Sequence, residues 1–302
     1  MKKYMYWLLA VVVTLALSIY QRMTGPTYPK KVTVELNGES YKLKLPRSGV
    51  QKDEIVKLKG IPPTTSAQLH YRQYQTPESS TTPAALPQQP LSVSSGTAAA
   101  LNQQPLSVSS GTAAALNQHN YTTIDFTCKD SMLQAALPVQ PVAGKLEYYI
   151  TVEGKDYPAD EPTVIRFRND VPAMILVPHI LLMFAAMLFA VYTLMLVVTR
   201  KEYGRWLKIT LATLFVGGFV FGPLVQHAAF GPWWTGFPYG TDLTDNKTLL
   251  SFLVFVAALA TLKWKYNRWV VAAAVLFMIL IFSIPHSVYG SEYDYQTQQL
   301  KQ

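Results

Sequence analysis

Three of the five histidines in this chain lie inside long apolar segments: His179 in VPHILLMF, His227 in GPLVQHAAF and His286 in FSIPHSVYG. An ionisable group at membrane depth is costly, so it marks a candidate functional site by default. His179, Met183 and Met187 recur every four residues and therefore share one face of a helix. Imidazoles on facing helices suit axial ligation of haem b. Thioethers beside an imidazole suit copper as Cu(I). The cofactor candidates are therefore His179, His227 and His286, with Met183 and Met187 as further metal ligands. The competing reading places each imidazole at the interface, bonded to water, a headgroup or a carbonyl, with the methionines as packing. The sequence holds no CxxCH, no HExxH and no paired intramembrane carboxylates.

A second constellation follows His227. The loop FGPWWTGFPYGTDLTDNKT places Trp233, Trp234, Phe237 and Tyr239 where aromatic residues anchor a helix end at a membrane surface. Asp242 and Asp245 precede an apolar run and fit a helix cap. Trp233, Trp234, Asp242 and Asp245 also fit a lid over the histidines. Before this loop, Gly218-x-x-x-Gly222 permits close helix approach.

These residues need helices to hold them. Charged residues make up 15% of the 302-residue chain, against ~25% in soluble proteins. The apolar residues concentrate at roughly 4–20, 172–199, 207–230, 249–262 and 269–287. A span needs ~20 apolar residues, with shorter ones tolerated at some mismatch, and the fourth of these is the shortest. Lys2 and Lys3 precede the first span; Arg200, Lys201, Arg205 and Lys208 join the second to the third; Lys263, Lys265 and Arg268 join the fourth to the fifth. The positive-inside rule then puts the N-terminus in the cytoplasm, with residues 22–171 and the C-terminus outside. Arg22 is a mild exception. The net charge of +8 reflects this bias. No basic stripe of the kind nucleic acid requires is present. Lys-Lys, an apolar run and Ala16-Leu17-Ser18 also fit a cleaved signal peptide in place of an anchor.

Between the first two spans the pattern changes to alternation. Stretches beginning KKVTVELNG and ESYKLKLP, joined by Asn37-Gly38, predict a hairpin. SAQLHYRQY, YTTIDFT, MLQAALP, KLEYYITVEG and TVIRFRN supply five more strands. Seven short strands predict a sandwich of immunoglobulin or fibronectin type. Cys128 is the lone cysteine, which rules out an internal disulfide and reads as a buried small hydrophobe. Residues 88–102 read QQPLSVSSGTAAALN, and 103–117 repeat them letter for letter. Two short copies cannot stack as a solenoid, so 77–119 reads as a disordered insert in the strand region.

The stretches LQAALPVQPVAGKLEYYITVEG, EPTVIRFRNDVPAMILVPHILLMFAAMLFA and AFGPWWTGFPYGTDLTDNKTLLSF resemble a family of uncharacterised bacterial inner-membrane proteins. That resemblance implies an N-terminal anchor, a small periplasmic β-domain and four further helices, and implies no activity.

The expected organisation is an anchor or signal peptide at 1–21 and an extracytoplasmic β-sandwich at 28–171. A four-helix transmembrane bundle follows at 172–288, then a polar tail at 289–302. The expected function is a non-enzymatic inner-membrane scaffold in contact with the lipid bilayer and a protein partner in the envelope. The alternative is a haem- or copper-binding redox protein. A transporter is disfavoured, since the expected spans contain no acidic residue for ion coupling.

Overall fold

The structure, a computed structural model, describes residues 3–74, 121–286, 290 and 292–301. The expected insert at 77–119 and its repeat lie outside the described residues.

Eleven strands occupy the described chain between Lys30 and Phe167. β1 (Lys30–Leu36) and β2 (Glu39–Leu45) form a hairpin in which Asn37 and Gly38 both take positive φ, as a two-residue turn requires. β3 (Ser48–Gly49) and β4 (Glu54–Leu58) follow, then β5 (Ala67–Gln73). After the insert come β6 (Thr122–Asp125), β7 (Thr127–Lys129) and β8 (Met132–Leu137). β9 (Lys145–Val152), β10 (Lys155–Tyr157) and β11 (Thr163–Phe167) complete the region.

The larger sheet runs β3-β11-β9-β5-β6 with β10 on β9, and a smaller one runs β4-β8-β7. Only the short β3–β11 pairing is parallel among the described ladders. Alternate residues of these strands point inward to one core, which includes Val34, Leu45, Leu58, Leu69, Ile150 and Phe167. All seven expected strands are present. The four that the alternation did not announce are β3, β4, β7 and β10, each five residues or fewer. Cys128 lies exposed on β7 and not in the core, because β7 is an edge strand with every residue exposed.

Five helical segments make up the rest. α1 covers Lys3–Thr24 and α2 covers Ala173–Val198. α3 (Gly204–Phe215) continues through a π-helical stretch, Val216–Phe221, into α4 (Gly222–Phe230). α5 is Leu243–Ala260 and α6 is Asn267–Ser283. Four segments are long and apolar enough to cross a membrane: α1, α2, the joined α3–α4 and α5. α6, at 17 residues, is a shorter apolar helix, so three of the four expected C-terminal spans reach that length.

The expected start of the fourth span at 249 is also corrected. Asp242 caps α5 by accepting from the N–H groups of Thr244 and Asp245, so the helix begins at Leu243. Asp245 is not the cap but lies in the first turn, where a carboxylate meets the positive end of the helix dipole.

The helices share a second core built from Tyr6 and Ala10 of α1, Ala186 and Ala190 of α2, Phe255 of α5 and Val275 of α6. Trp7 stacks on Tyr192 with ring centroids 4.1 Å apart and meets Trp206 edge-on. The tail forms a hairpin, β12 (Glu292–Asp294) with β13 (Gln299–Lys301), that returns to the sheets: Lys145 pairs with Glu292, and the Tyr295 hydroxyl donates to the Lys145 carbonyl at 2.9 Å.

Candidate functional site

A half-open cavity of about 500 Å³ lies where α1, α2, α4 and the end of α6 meet the sheets. α2 supplies its long wall, from Leu176 through His179 and Met183 to Met187. At ~1.5 Å of rise per residue, that wall runs roughly 16 Å along the helix. The deep end is apolar, with Leu17, Phe184 and Phe282 beside the methionines. Arg22, Arg166 and Arg168 line it as well, with Thr27 and Ser48, at the ends of the helices nearest the strands. The lining holds three arginines and two histidines and no acidic residue.

His179 is half-buried, and its Nδ1 lies 2.9 Å from the Gly217 carbonyl. A carbonyl only accepts, so Nδ1 carries the proton, and in the neutral ring Nε2 is the acceptor. The π-helical stretch makes this contact possible. Gly217 packs so tightly on α2 that an added Cβ would lie 3.0 Å from Leu182 Cβ and 3.1 Å from Met183 Sδ. Gly218 is tighter still, since its Cβ would lie 2.5 Å from Thr248 Cγ2. Gly222, the other half of the expected small-residue motif, has only ordinary van der Waals space around it. Close approach is therefore the work of the adjacent pair, Gly217 and Gly218.

The structure brings four of the five cofactor and metal candidates together: His179, His286, Met183 and Met187 all line the cavity. His227 does not. Its exposed imidazole pairs through Nδ1 with the Gly231 carbonyl and stacks on Trp233 at 4.1 Å, nearly parallel. Among the described residues no cluster of three His, Cys, Asp or Glu side chains has the spacing of a metal site.

The four residues of the expected lid also stand away from the cavity lining. Trp234 stacks on Phe219, and its indole N–H donates to the Phe237 carbonyl. Asp245 accepts from the backbone N–H of Thr235 at 2.7 Å and from its hydroxyl at 3.1 Å, while Asp242 caps α5. The carboxylates therefore bind the aromatic loop to the first turn of α5, a structural task. Trp233, Phe237 and Tyr239 are left exposed, as interfacial anchors would be.

Two groups of functional candidates were not anticipated from sequence. Lys247 was read as a loop residue, yet it is 1% exposed inside α5 and donates through Nζ to the carbonyls of Ile284 at 2.8 Å and Pro285 at 3.3 Å. Those carbonyls end α6, where a cation is favoured. The three arginines are the other group. Arg166 packs its guanidinium over the Phe230 ring at 4.3 Å and beneath Gly290. Burial holds its pKa below the usual arginine range, and the carboxylates of Asp242 and Glu292 oppose that shift. Arg22 and Arg168 form no ion pair with a described residue. The signal that could have found them was charge placement, since basic residues border two spans on the side from which the positive-inside rule excludes them.

Comparison with family models, with curated proteins and with solved structures gives no match for this chain. The resemblance to the inner-membrane family thus rests on the quoted stretches alone.

Proposed function

We propose that this chain is an integral protein of the bacterial inner membrane that serves as a non-enzymatic envelope scaffold. In this reading the N-terminus is cytoplasmic, and α1 is a retained anchor. That is supported by the burial of Tyr6 and Ala10 against α2 and its neighbours. The strands between Lys30 and Phe167 form the extracytoplasmic domain, a sandwich of immunoglobulin or fibronectin type, and present a surface to a protein partner. α6 crosses with the other helices, its short apolar length matched by local thinning of the bilayer.

The observation that carries the reading is the joint between strands and helices. Asn169, between β11 and α2, donates its N–H to the Ala229 carbonyl of α4 at 3.0 Å. Arg166 on Phe230 and Lys145 with Glu292 add contacts on either side. Such a joint supports a rigid mount rather than a swinging module.

The exposed thiol of Cys128 tests both parts of the reading. A membrane-impermeant maleimide bearing a photoreactive group should modify Cys128 in intact spheroplasts and, on illumination, give one discrete higher-mass adduct. Modification only after lysis would overturn the orientation. Modification without an adduct would leave the strand region a spacer.

One observation favours a second reading, a haem or copper site. His179, His286, Met183 and Met187 share one cavity, and the Nδ1 bond of His179 orients its ring as carbonyl-bonded ligand imidazoles are oriented. Absorption spectra and metal analysis of protein from haem-replete, copper-replete cells decide it. A Soret band or stoichiometric copper that falls on His179→Ala supports the site, and a colourless, metal-free protein removes it.

A further inference from the structure

We infer that the cavity is a binding site for an anionic lipid, which it holds with a phosphate headgroup among Arg22, Arg166 and Arg168 and an acyl chain along α2. The inference rests on the helices lying in a bilayer, and on neither the orientation nor the partner proposed above.

Shape and polarity agree on this occupant. The lining changes from guanidinium and hydroxyl groups at one end to Met183, Phe184 and Met187 at the other. An elongated molecule with one charged end and one hydrocarbon end satisfies both. The roughly 16 Å of apolar wall, from ~1.5 Å of rise per residue, matches much of an extended acyl chain. Among the described residues no carboxylate shares the lining, and Arg22 and Arg168 form no ion pair with a described residue. Guanidinium groups pair with phosphate oxygens through two parallel hydrogen bonds, and a lipid supplies its phosphate on the hydrocarbon chain that the rest of the lining suits. Thr27 and Ser48 add hydroxyl donors at the same end.

Access is also provided. Ile180, Leu181 and Phe184 are exposed on α2, as are Leu15 and Ile19 on α1. Acyl chains would solvate these faces, so the cavity opens among the hydrocarbon from which a lipid would enter. His179 fits as a neutral group. It spends its proton on the Gly217 carbonyl and leaves Nε2 as an acceptor, so it neither repels a chain nor competes for the phosphate.

The test uses full-length protein in nanodiscs containing phosphatidylglycerol and phosphatidylcholine in equal amounts. The protein is transferred to mild detergent and gel-filtered, and its retained lipid is extracted and identified by mass spectrometry. Wild type should retain phosphatidylglycerol over phosphatidylcholine by about tenfold or more, because the arginines repel the choline cation that cancels the charge of the latter's phosphate. Arg22→Gln with Arg168→Gln should bring the ratio close to one while leaving elution and thermal unfolding unchanged. Arg166 is left intact because it also packs the joint. Ile180→Trp, which narrows the cavity and keeps every charge, should lower total retained lipid and preserve the preference of what remains.

Equal retention of both lipids by wild type would overturn the inference. So would retained phosphorus that proves to be inorganic phosphate, or a Soret band in place of lipid. A preference that survives the double arginine substitution would overturn the headgroup assignment, which is the core of the proposal.

Discussion

The two cores of this molecule are built on opposite rules. Around the sheets the buried side chains are almost all apolar, and only Gln134 and Thr163 break the pattern among described residues. The helices bury Thr14, Thr193, Thr210, Lys247, Thr248, Ser251 and Asn267, and the loop before α5 buries Thr235. Water drives apolar groups together in the first region, because removing them from solvent is favourable in proportion to area. A bilayer offers no such drive between helices, so small residues and interhelical hydrogen bonds provide the specificity. Tyr203 and Asn267 show it well. The Tyr203 hydroxyl donates to Asn267 Oδ1 at 2.7 Å, and Asn267 Nδ2 donates to the Ala258 carbonyl at 2.7 Å, joining three helices' ends through one amide. The surrounding medium is thus written into the interior of each region.

Substitutions should separate the two rules. Phe167 is fully buried in the strand core, and Phe167→Ala is expected to cost about 3–5 kcal/mol through lost transfer energy and a cavity. Chemical denaturation followed by limited proteolysis of the strand region should show it opening at lower denaturant, while helical circular dichroism holds. Gly218→Val comes next, because its side chain meets Thr248 at once. Overpacking of this kind costs about 1–3 kcal/mol, read as a lower thermal midpoint in detergent and as helices pushed apart in spin-label distances between α4 and α5. Asn267→Leu removes the polar joint and keeps the bulk. Bonds of this kind within membranes are worth about 0.6 kcal/mol on average and at most ~1.7, so a loss well beyond that range would break the comparison.

The smallest effect is a pH slope on the strand side. His70 bonds to Thr123 Oγ1 at 2.9 Å and stacks on Tyr149, and burial lowers its pKa in the fold. The folded state therefore disfavours the protonated ring. Its contribution is complete above the unfolded value, near ~6.5, and is lost as pH falls below it. Strand-region stability measured at pH 7.5 and 5 should drop slightly for wild type and less for His70→Gln.

Legibility in the sequence also divides along this line. Alternation found seven of the eleven strands, because one wet face and one dry face force a period of two. It missed β3, β7 and β10, which at two or three residues are too short for a period to register, and the five-residue β4. Hydropathy found the helices but placed the start of α5 six residues late, because the polar turn that follows the Asp242 cap carries no apolar signal. That error hid Lys247, a buried cation on what was read as a loop. The histidines were visible as ionisable groups among apolar ones, but their grouping was not. Whether His227 joins His179 depends on the loop that stacks Trp233 on it, a contact no periodicity encodes. The arginine end of the cavity draws on α1, the β11–α2 connection and β11 itself, positions about 144 residues apart in the sequence, and only tertiary structure collects them.

One pairing in the larger sheet bears on how this gene can change. β5 and β6 run antiparallel, with Tyr71 opposite Thr122, so the chain leaves the sheet and re-enters it one strand spacing away. Whatever is written between them, the two ends meet in the same register. A replication slip that copies fifteen codons there falls between two strands whose pairing is set by residues on either side of it. The doubled QQPLSVSSGTAAALN thus stands between the ends of one ladder rather than within a strand. Isolates of the same lineage are expected to differ there in copy number while keeping both strands letter for letter.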